Sequence, residues 1–250
     1  MSSVTSDEQY FVRMEEKRYA LSLVIPTYNE AGNIEPLLER LEQVLAGRAW
    51  EVLFVDDNSP DGTTAVVRRA AETRSNVRCL CRVGRRGLTS ACLEGFAATE
   101  GPFIGVMDAD LQHDESLLPR MLDILEAGEA ELVAASRYAA GGSTGDFPLP
   151  RRLISHAGTW FARMLLGIGL SDPVSGFFMF RRAVLSRSTV GRVSGGGFKI
   201  LMDLVVSTRP PLSFRELPFT FRPRHSGQSK FNAAIGLEFM RAVLKRRFER

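Results

Sequence analysis

Five short apolar runs, Leu21–Ile25, Val52–Val55, Val77–Cys81, Phe103–Met107 and Leu132–Ala135, set the terms on which this chain can fold. The first two read as buried strands and the other three as strands. Between them lie stretches with helical spacing. The first carries Leu37, Leu38, Leu41, Val44 and Leu45 behind Asn33, a residue suited to cap a helix; Gly62–Thr73, Leu88–Thr99 and Leu117–Leu125 follow. Strands alternating with helices predict parallel βαβ units in an α/β fold, a doubly wound, mostly parallel sheet with helices on both faces. After Ser136-Arg137 the pattern loosens. Ala139–Pro150 reads as a loop, Leu153–Leu166 as a helix, and Phe177–Phe180 and Phe214–Phe221 as strands of a mixed sheet. A helix is expected near Phe198–Ser207, and a final amphipathic helix with a basic end over residues 231–250. Residues 1–18 are expected as a tail ahead of a single domain over 19–230; 250 residues suit one sizeable core.

The net charge of +3 conceals an asymmetry. Residues 241–250 carry +4, so the first 240 sum to −1 and the body of the chain is no general polyanion binder. No basic face interleaved with aromatics suggests nucleic acid as a partner. Nothing at the N-terminus resembles a signal peptide, and no apolar stretch is long enough to span a bilayer. The three cysteines, Cys79, Cys81 and Cys92, are odd in number; core filling in a reducing compartment explains them better than a disulfide. These features point to a cytoplasmic protein.

Open α/β sheets bind ligands at the carboxyl ends of their strands, and three such ends here are unusually polar. They are Pro26-Thr27-Tyr28-Asn29-Glu30, Asp56-Asp57-Asn58-Ser59-Pro60-Asp61-Gly62 and Asp108-Ala109-Asp110-Leu111-Gln112. Asp108 and Asp110, one residue apart, can aim carboxylate oxygens at one divalent cation, and Gln112 adds a neutral oxygen at the same alternation. Hard oxygen donors suit Mg²⁺ or Mn²⁺. Acids that merely cap a following helix fit a bare DxD about as well. Asp57 has the same two readings, a hydrogen-bond acceptor for a base or ribose or a turn-former, and Tyr28 is either a stacking surface or an ordinary half-buried aromatic. No P-loop, complete dinucleotide fingerprint, HExxH or cysteine zinc set is present. His113, His156 and His225 are scattered, which favours surface or core roles.

Together these segments resemble the family-two glycosyltransferases of GT-A type, and within them the polyprenol (dolichol) phosphate mannose synthases. The matching stretches are Val24–Glu30 (VIPTYNE), Val55–Thr63 (VDDNSPDGT), Gly87–Phe96 (GLTSACLEGF), Met107–His113 (MDADLQH), Ser136–Tyr138, Asp172–Phe177 (DPVSGF), Gly197–Lys199 (GFK) and Gly227–Lys230 (GQSK). Their order and spacing over most of the chain are far more specific than any one of them. The resemblance implies inverting transfer of mannose from GDP-mannose to a polyprenyl phosphate. It implies a nucleoside site of Pro26, Tyr28, Glu30, Val55 and Asp57, and a metal held by Asp108, Asp110 and Gln112 with Ala109 beside the donor. It implies phosphates lined by Arg137, Arg151, Lys199, Arg224 and Lys230, with Arg152 and Arg222 able to exchange roles with Arg151 and Arg224, and Tyr138 among the donor-binding residues. Asp110, Arg137 and Arg151 are the expected catalytic set. Asp172 is a ligand to a sugar hydroxyl, organises arginine side chains, or caps the turn before Ser175-Gly176. The same likeness implies a peripheral place on the cytoplasmic face of a membrane, through the basic terminal helix or an anchoring partner. Another donor, such as UDP-glucose, and a non-catalytic nucleotide-sugar-binding subunit stay open. The chain departs from the usual pattern at Gly87-Leu88-Thr89-Ser90 and at Asp203, where a glutamate is common.

Overall fold

The computed structural model describes residues 19–146, 148–189, 199–223, 243, 244 and 247; for Pro150 and Arg151 it describes the main chain only. Seven strands, β1 (Leu21–Thr27), β2 (Trp50–Asp56), β3 (Val77–Cys81), β4 (Phe103–Val106), β5 (Leu132–Ser136), β6 (Phe178–Arg181) and β7 (Phe214–Pro218), form one sheet. Its order is β3-β2-β1-β4-β6-β5-β7. β6 runs antiparallel to both its neighbours, and the other pairings are parallel. The helices are α1 (Ile34–Val44), α2 (Thr63–Thr73), α3 (Leu88–Ala97), α4 (Leu118–Glu126), α5 (Leu149–Leu166) and α6 (Ile200–Ser207).

β1, β2 and β4 are buried along nearly their whole length because both faces of the sheet are covered there. Leu23, Ile25, Val52 and Phe54 pack with α1, α2 and α4 in one core. Val24, Leu53 and Val55, alternating with them, pack with α3, α5 and α6 in a second. Burying each such side chain contributes about 1.5–3 kcal/mol, so the register of each strand is tightly specified. Gly95 is where α3 comes closest to the sheet: a Cβ there would stand 2.3 Å from a Val24 methyl.

Several boundaries differ from the sequence reading. β1 runs through Pro26 to Thr27. Its last pair with β4 is Val24–Val106, so the missing Pro26 N–H removes no bond from that ladder. α5 begins at Leu149, because Pro150 lies in its first turn, where a helix needs no N–H donor. β7 stops at Pro218, and Thr220 beyond it makes an isolated bridge to Ser143. Asn33 does not cap α1 with its side chain; its Nδ2 donates instead to Glu30 Oε2 at 2.6 Å. Cys79 and Cys81 are only half-buried on edge strand β3, while Cys92 is buried; all three are free thiols. No helix among the described residues is long and apolar enough to cross a membrane. Of the expected terminal helix only Val243, Leu244 and Arg247 are described, all helical, with Val243 in the core; the rest, with Gly197-Phe198, Arg224, His225 and Gly227–Lys230, lies outside the described residues.

Candidate active site

The chain runs outward from β1 through β2 to β3, then returns to place β4 on the other side of β1. A crevice at the carboxyl ends of β1 and β4 follows from that reversal. Among the described residues, the non-glycine positions with left-handed φ are Asn29 (58°), Asn58 (54°) and Leu111 (62°). One lies just past each of β1, β2 and β4. Asparagine tolerates this conformation; for Leu111 it costs about 1–3 kcal/mol, a strain typical of functional turns.

The adjacent aspartates after β2 divide the work. Asp56, fully buried, accepts from Thr27 Oγ1, Ser59 N, Ser59 Oγ and Thr64 Oγ1 at 2.6–2.9 Å and knots the β1 and β2 tips together. Asp61 accepts from Thr63 N and Ala31 N, so the local turn chemistry belongs to Asp56 and Asp61. Asp57 is aimed elsewhere. Its Oδ1 accepts from Arg82 Nη1 and its Oδ2 from Gly87 N, each at 2.8 Å. Arg82 is buried, with further contacts to Ser90 Oγ (2.6 Å) and Glu94 (3.2 Å). The GLTS segment therefore anchors Asp57. Arg82 was missed in the sequence, although its place just past an apolar strand was a usable signal.

Beside this clamp is a cavity of about 360 Å³ lined by Asp57, Asn58, Gly84, Arg85 and Arg86. The Arg86 guanidinium lies 4.5 Å over the Tyr28 ring, so that face of Tyr28 already carries a cation–π partner. Glu30 lies nearby and is held by Asn33. Pro26 is half-buried, whereas the side chains of Val55 and Ala109 sit in the two cores.

At the end of β4, Asp108 is half-exposed and Asp110 buried. Leu111 turns the chain so that Gln112 N donates to Asp110 Oδ1 at 3.2 Å. Gln112 braces the loop: its Nε2 donates to Arg222 O (2.9 Å), and its carbonyl accepts from Arg222 N (3.0 Å). Arg222 in turn pairs with Asp114 and Glu115, so its guanidinium is committed to scaffold. His113 closes the loop from below, its Nδ1 accepting from Asp108 N at 3.2 Å. Its ring stacks on Phe177 and meets the edges of Phe219 and Phe221. Burial pushes its pKa down to about 4, which leaves a neutral imidazole at neutral pH. His113 is thus a core residue, but its core is the floor under Asp108.

Across from this loop Asp172, fully buried, accepts from Arg137 Nε (2.7 Å) and Nη2 (2.9 Å) in a bidentate pair. This pair matches the reading of Asp172 as an organiser of an arginine. The Arg137 guanidinium also lies 5.4 Å from the Tyr138 ring, which packs on His156, with its hydroxyl 2.6 Å from Ser155 Oγ. Lys199 feels Asp108, Arg137 and Asp172; burial holds its ammonium below the usual lysine range, against the pull of Asp108. Asp108, Asp110, Arg137, Tyr138, Asp172 and Lys199 are thereby gathered at one end of the crevice, with Asp57 at the other. Arg151 is in the first turn of α5.

Among the described residues no three His, Cys, Asp or Glu side chains form a metal cluster. A ready-made protein cage is not what a phosphate-bridging cation needs, since Mg²⁺ is commonly held by one or two carboxylates plus waters and substrate phosphates. Gly176 supplies the room. A Cβ there would stand 2.9 Å from Asp108 Oδ2, so only glycine lets this carboxylate lie where it does. Asp108 and Asp110 fit a hard divalent ion on this count.

The sequence model of Glycosyl transferase family 2 matches residues 22–189. The chain belongs to this family. A dolichol-phosphate mannosyltransferase of Pyrococcus furiosus is 35% identical over 229 residues, which is 90% of this glycosyltransferase but 63% of that protein. One of Saccharomyces cerevisiae is 35% identical over 230 residues, 89% of this chain and 85% of that one. A polyprenol monophosphomannose synthase of Mycolicibacterium smegmatis is 35% identical over 217 residues, 85% of this chain and 81% of that one. Among solved structures, glucosyl-3-phosphoglycerate synthase from Mycobacterium tuberculosis, crystallised with Mn²⁺, uridine diphosphate and glucosyl-3-phosphoglycerate, matches with a TM-score of 0.69 at 20% identity. It aligns with 99% of this glycosyltransferase and 86% of that chain. The fold is therefore the GT-A fold.

Proposed function

We propose that this glycosyltransferase moves mannose from GDP-mannose to a polyprenyl phosphate, with inversion at the anomeric carbon, on a membrane surface. The observation that carries the reading is one crevice with a paired-aspartate loop at one end of it, faced by an organised arginine, and a nucleoside-sized cavity at the other. The names of relatives at 35% identity support the mannosyl donor and the lipid acceptor.

A phosphate monoester has a second pKa near ~6, so a polyprenyl phosphate is largely dianionic at neutral pH and needs no general base. It needs its charge offset so that it can approach a diphosphate. Arg137, held by its bidentate pair with Asp172, would supply one cation for this, and Lys199 adds a second. Asp57 and the Arg82 clamp position the nucleoside. Asp108 and Asp110 would hold Mg²⁺ or Mn²⁺, which supplies charge neutralisation to the diphosphate leaving group. By the resemblance, Arg151, Arg224 and Lys230 complete the phosphate lining.

The test uses purified protein, labelled GDP-mannose or UDP-glucose, a polyprenyl phosphate, and Mn²⁺ or EDTA. Lipid-extractable label from GDP-mannose alone, abolished by EDTA, is the expected result. Label from UDP-glucose alone would reassign the donor, and donor binding without transfer to any lipid would make the chain a binding subunit.

Gly176→Ala gives a second check. The added methyl displaces the half-exposed Asp108 carboxylate. Transfer should fall about tenfold or more, with weaker Mn²⁺ binding, while the melting temperature moves little. Unchanged Mn²⁺ affinity by calorimetry would remove Asp108 from the metal set.

A further inference from the structure

β7 is an edge strand, and a glutamate on an edge usually does no more than keep it from pairing with another chain. Glu216 is half-buried and turned inward. It pairs with Ala134 of β5 and lies two residues from Phe214, on the face of the sheet that packs with α5 and α6. The segment that follows α5 runs across this face. A Cβ on Gly169 would stand 3.0 Å from the Phe214 ring, and two residues later the chain passes over Glu216. There the glutamate collects the donors of the segment. Ser171 N donates to both its oxygens at 2.9 Å, and Ser171 Oγ (2.7 Å) and Asp172 N (3.3 Å) donate to Oε1. Ser171 has one hydroxyl proton and gives it to Glu216, so in the 2.5 Å contact between Ser136 Oγ and Ser171 Oγ the proton comes from Ser136. Ser136 Oγ in turn accepts from Tyr138 N (3.1 Å) and Ala139 N (3.0 Å), in the turn that carries Arg137. One carboxylate therefore ends two chains of donors. The first holds the main chain of Asp172 and the second the main chain around Arg137, the two partners of the bidentate pair.

We propose that Glu216 is a positioning residue for the transfer, acting through Asp172 and Arg137 to set where the guanidinium stands beside the acceptor phosphate. Arg137 and Asp172 lie on separate segments, and their pair has a fixed place only if both segments are tied to the same point. Glu216 is that point, and Ser136 and Ser171 are the links. Hydrogen bonds in such a chain polarise and strengthen one another, so loss of the terminal acceptor loosens all of them together. A cation that drifts by about 1 Å from its productive place can cost about a hundredfold in rate, which makes a remote anchor visible in kinetics. The link to phosphate rests on the polyprenyl-phosphate reading above; the hold on the Arg137–Asp172 pair does not.

Full-length Glu216→Ala and Glu216→Gln are compared with the wild type for the KM of a short, water-soluble polyprenyl phosphate, the KM of GDP-mannose, and kcat. Glu216→Ala should raise the acceptor KM about tenfold or more and leave the donor KM where it was. Glu216→Gln keeps one acceptor oxygen and should recover part of that loss. In an Arg137→Met background Glu216→Ala should raise the acceptor KM no further, since the group it positions is gone. An unchanged acceptor KM overturns the proposal. So do acceptor and donor KM rising together, or a Glu216→Ala effect that adds in full to that of Arg137→Met. Where Glu216→Ala does not fold, Ser171→Ala carries the same test. It removes one link, keeps the main-chain bonds to Glu216, and should give a smaller rise in acceptor KM that also vanishes in the Arg137→Met background. A cycle of melting temperatures tests the anchor without any reaction. The losses from Glu216→Ala and Asp172→Ala should fall short of their sum in the double variant, because each releases the same pair. Full additivity overturns the proposal. If the wild type passes label to no polyprenyl phosphate, the acceptor reading fails, and the melting cycle alone decides whether Glu216 holds the pair.

Discussion

Asp110→Ala should abolish measurable transfer while the protein stays folded. Asp110 is buried at the end of β4, where its Oδ1 accepts from the Gln112 N–H at 3.2 Å, presented by the left-handed turn at Leu111. Losing that acceptor costs about 1 kcal/mol of stability. Losing a carboxylate from a cation that neutralises a departing diphosphate removes several kcal/mol of transition-state stabilisation, and each 1.4 kcal/mol is about tenfold in rate. A fall of about a thousandfold or more follows. Asp110→Asn separates charge from structure, since the amide oxygen still accepts from Gln112 N. It should melt like the wild type and be nearly as inactive as the alanine variant, with Mn²⁺ affinity reduced in both. Wild-type turnover in either variant would reject the metal assignment.

Asp172→Ala should have the largest effect on stability. Asp172 is fully buried and the Arg137 side chain is 12% exposed, so truncation leaves a guanidinium with little access to water and no counter-charge. Breaking a buried pair in this way costs about 3–5 kcal/mol, which for a chain of this length lowers the melting temperature by about 10 °C. Replacing both partners by apolar residues, Arg137→Met with Asp172→Leu, removes the orphaned charge and should recover much of that loss. It should not recover transfer, because the cation held by Asp172 is then missing from beside the acceptor phosphate. Stability and activity therefore part in the double variant. If instead both return together, the pair is structural only and Arg137 has no part in handling phosphate.

The outline of the fold was legible because its cause is local. Continuous apolar runs such as Val52–Val55 and Phe103–Val106 read as strands covered on both faces, and helical spacing marked α1, α2 and α4. The polar ends after β1, β2 and β4 were legible for the same reason, since an abrupt change from apolar to acidic residues marks where a buried strand meets solvent. Helix and strand ends were read less well where proline was taken as a boundary, at Pro26 and Pro150. There a neighbouring strand that has already stopped, or a first turn that needs no donor, makes the missing N–H harmless.

What each polar residue does was decided only in three dimensions. Asp56 and Asp57 are adjacent and chemically identical, yet one knots two strand tips and the other faces a cavity under the grip of Arg82 and Gly87. Arg137 and Asp172 are 35 positions apart and meet through the sheet order. Gly176 matters because Asp108 lies against it. The outward face of α5 is invisible to periodicity, because the helix is apolar on both sides and only packing against the domain decides which side is left in the open. Sequence alone determined which segments bury and where polar chemistry collects, since these follow from hydrophobicity over a few residues. Tertiary structure decided the partner of every charge, because a partner is set by distance in space, and spacing along the chain does not carry it.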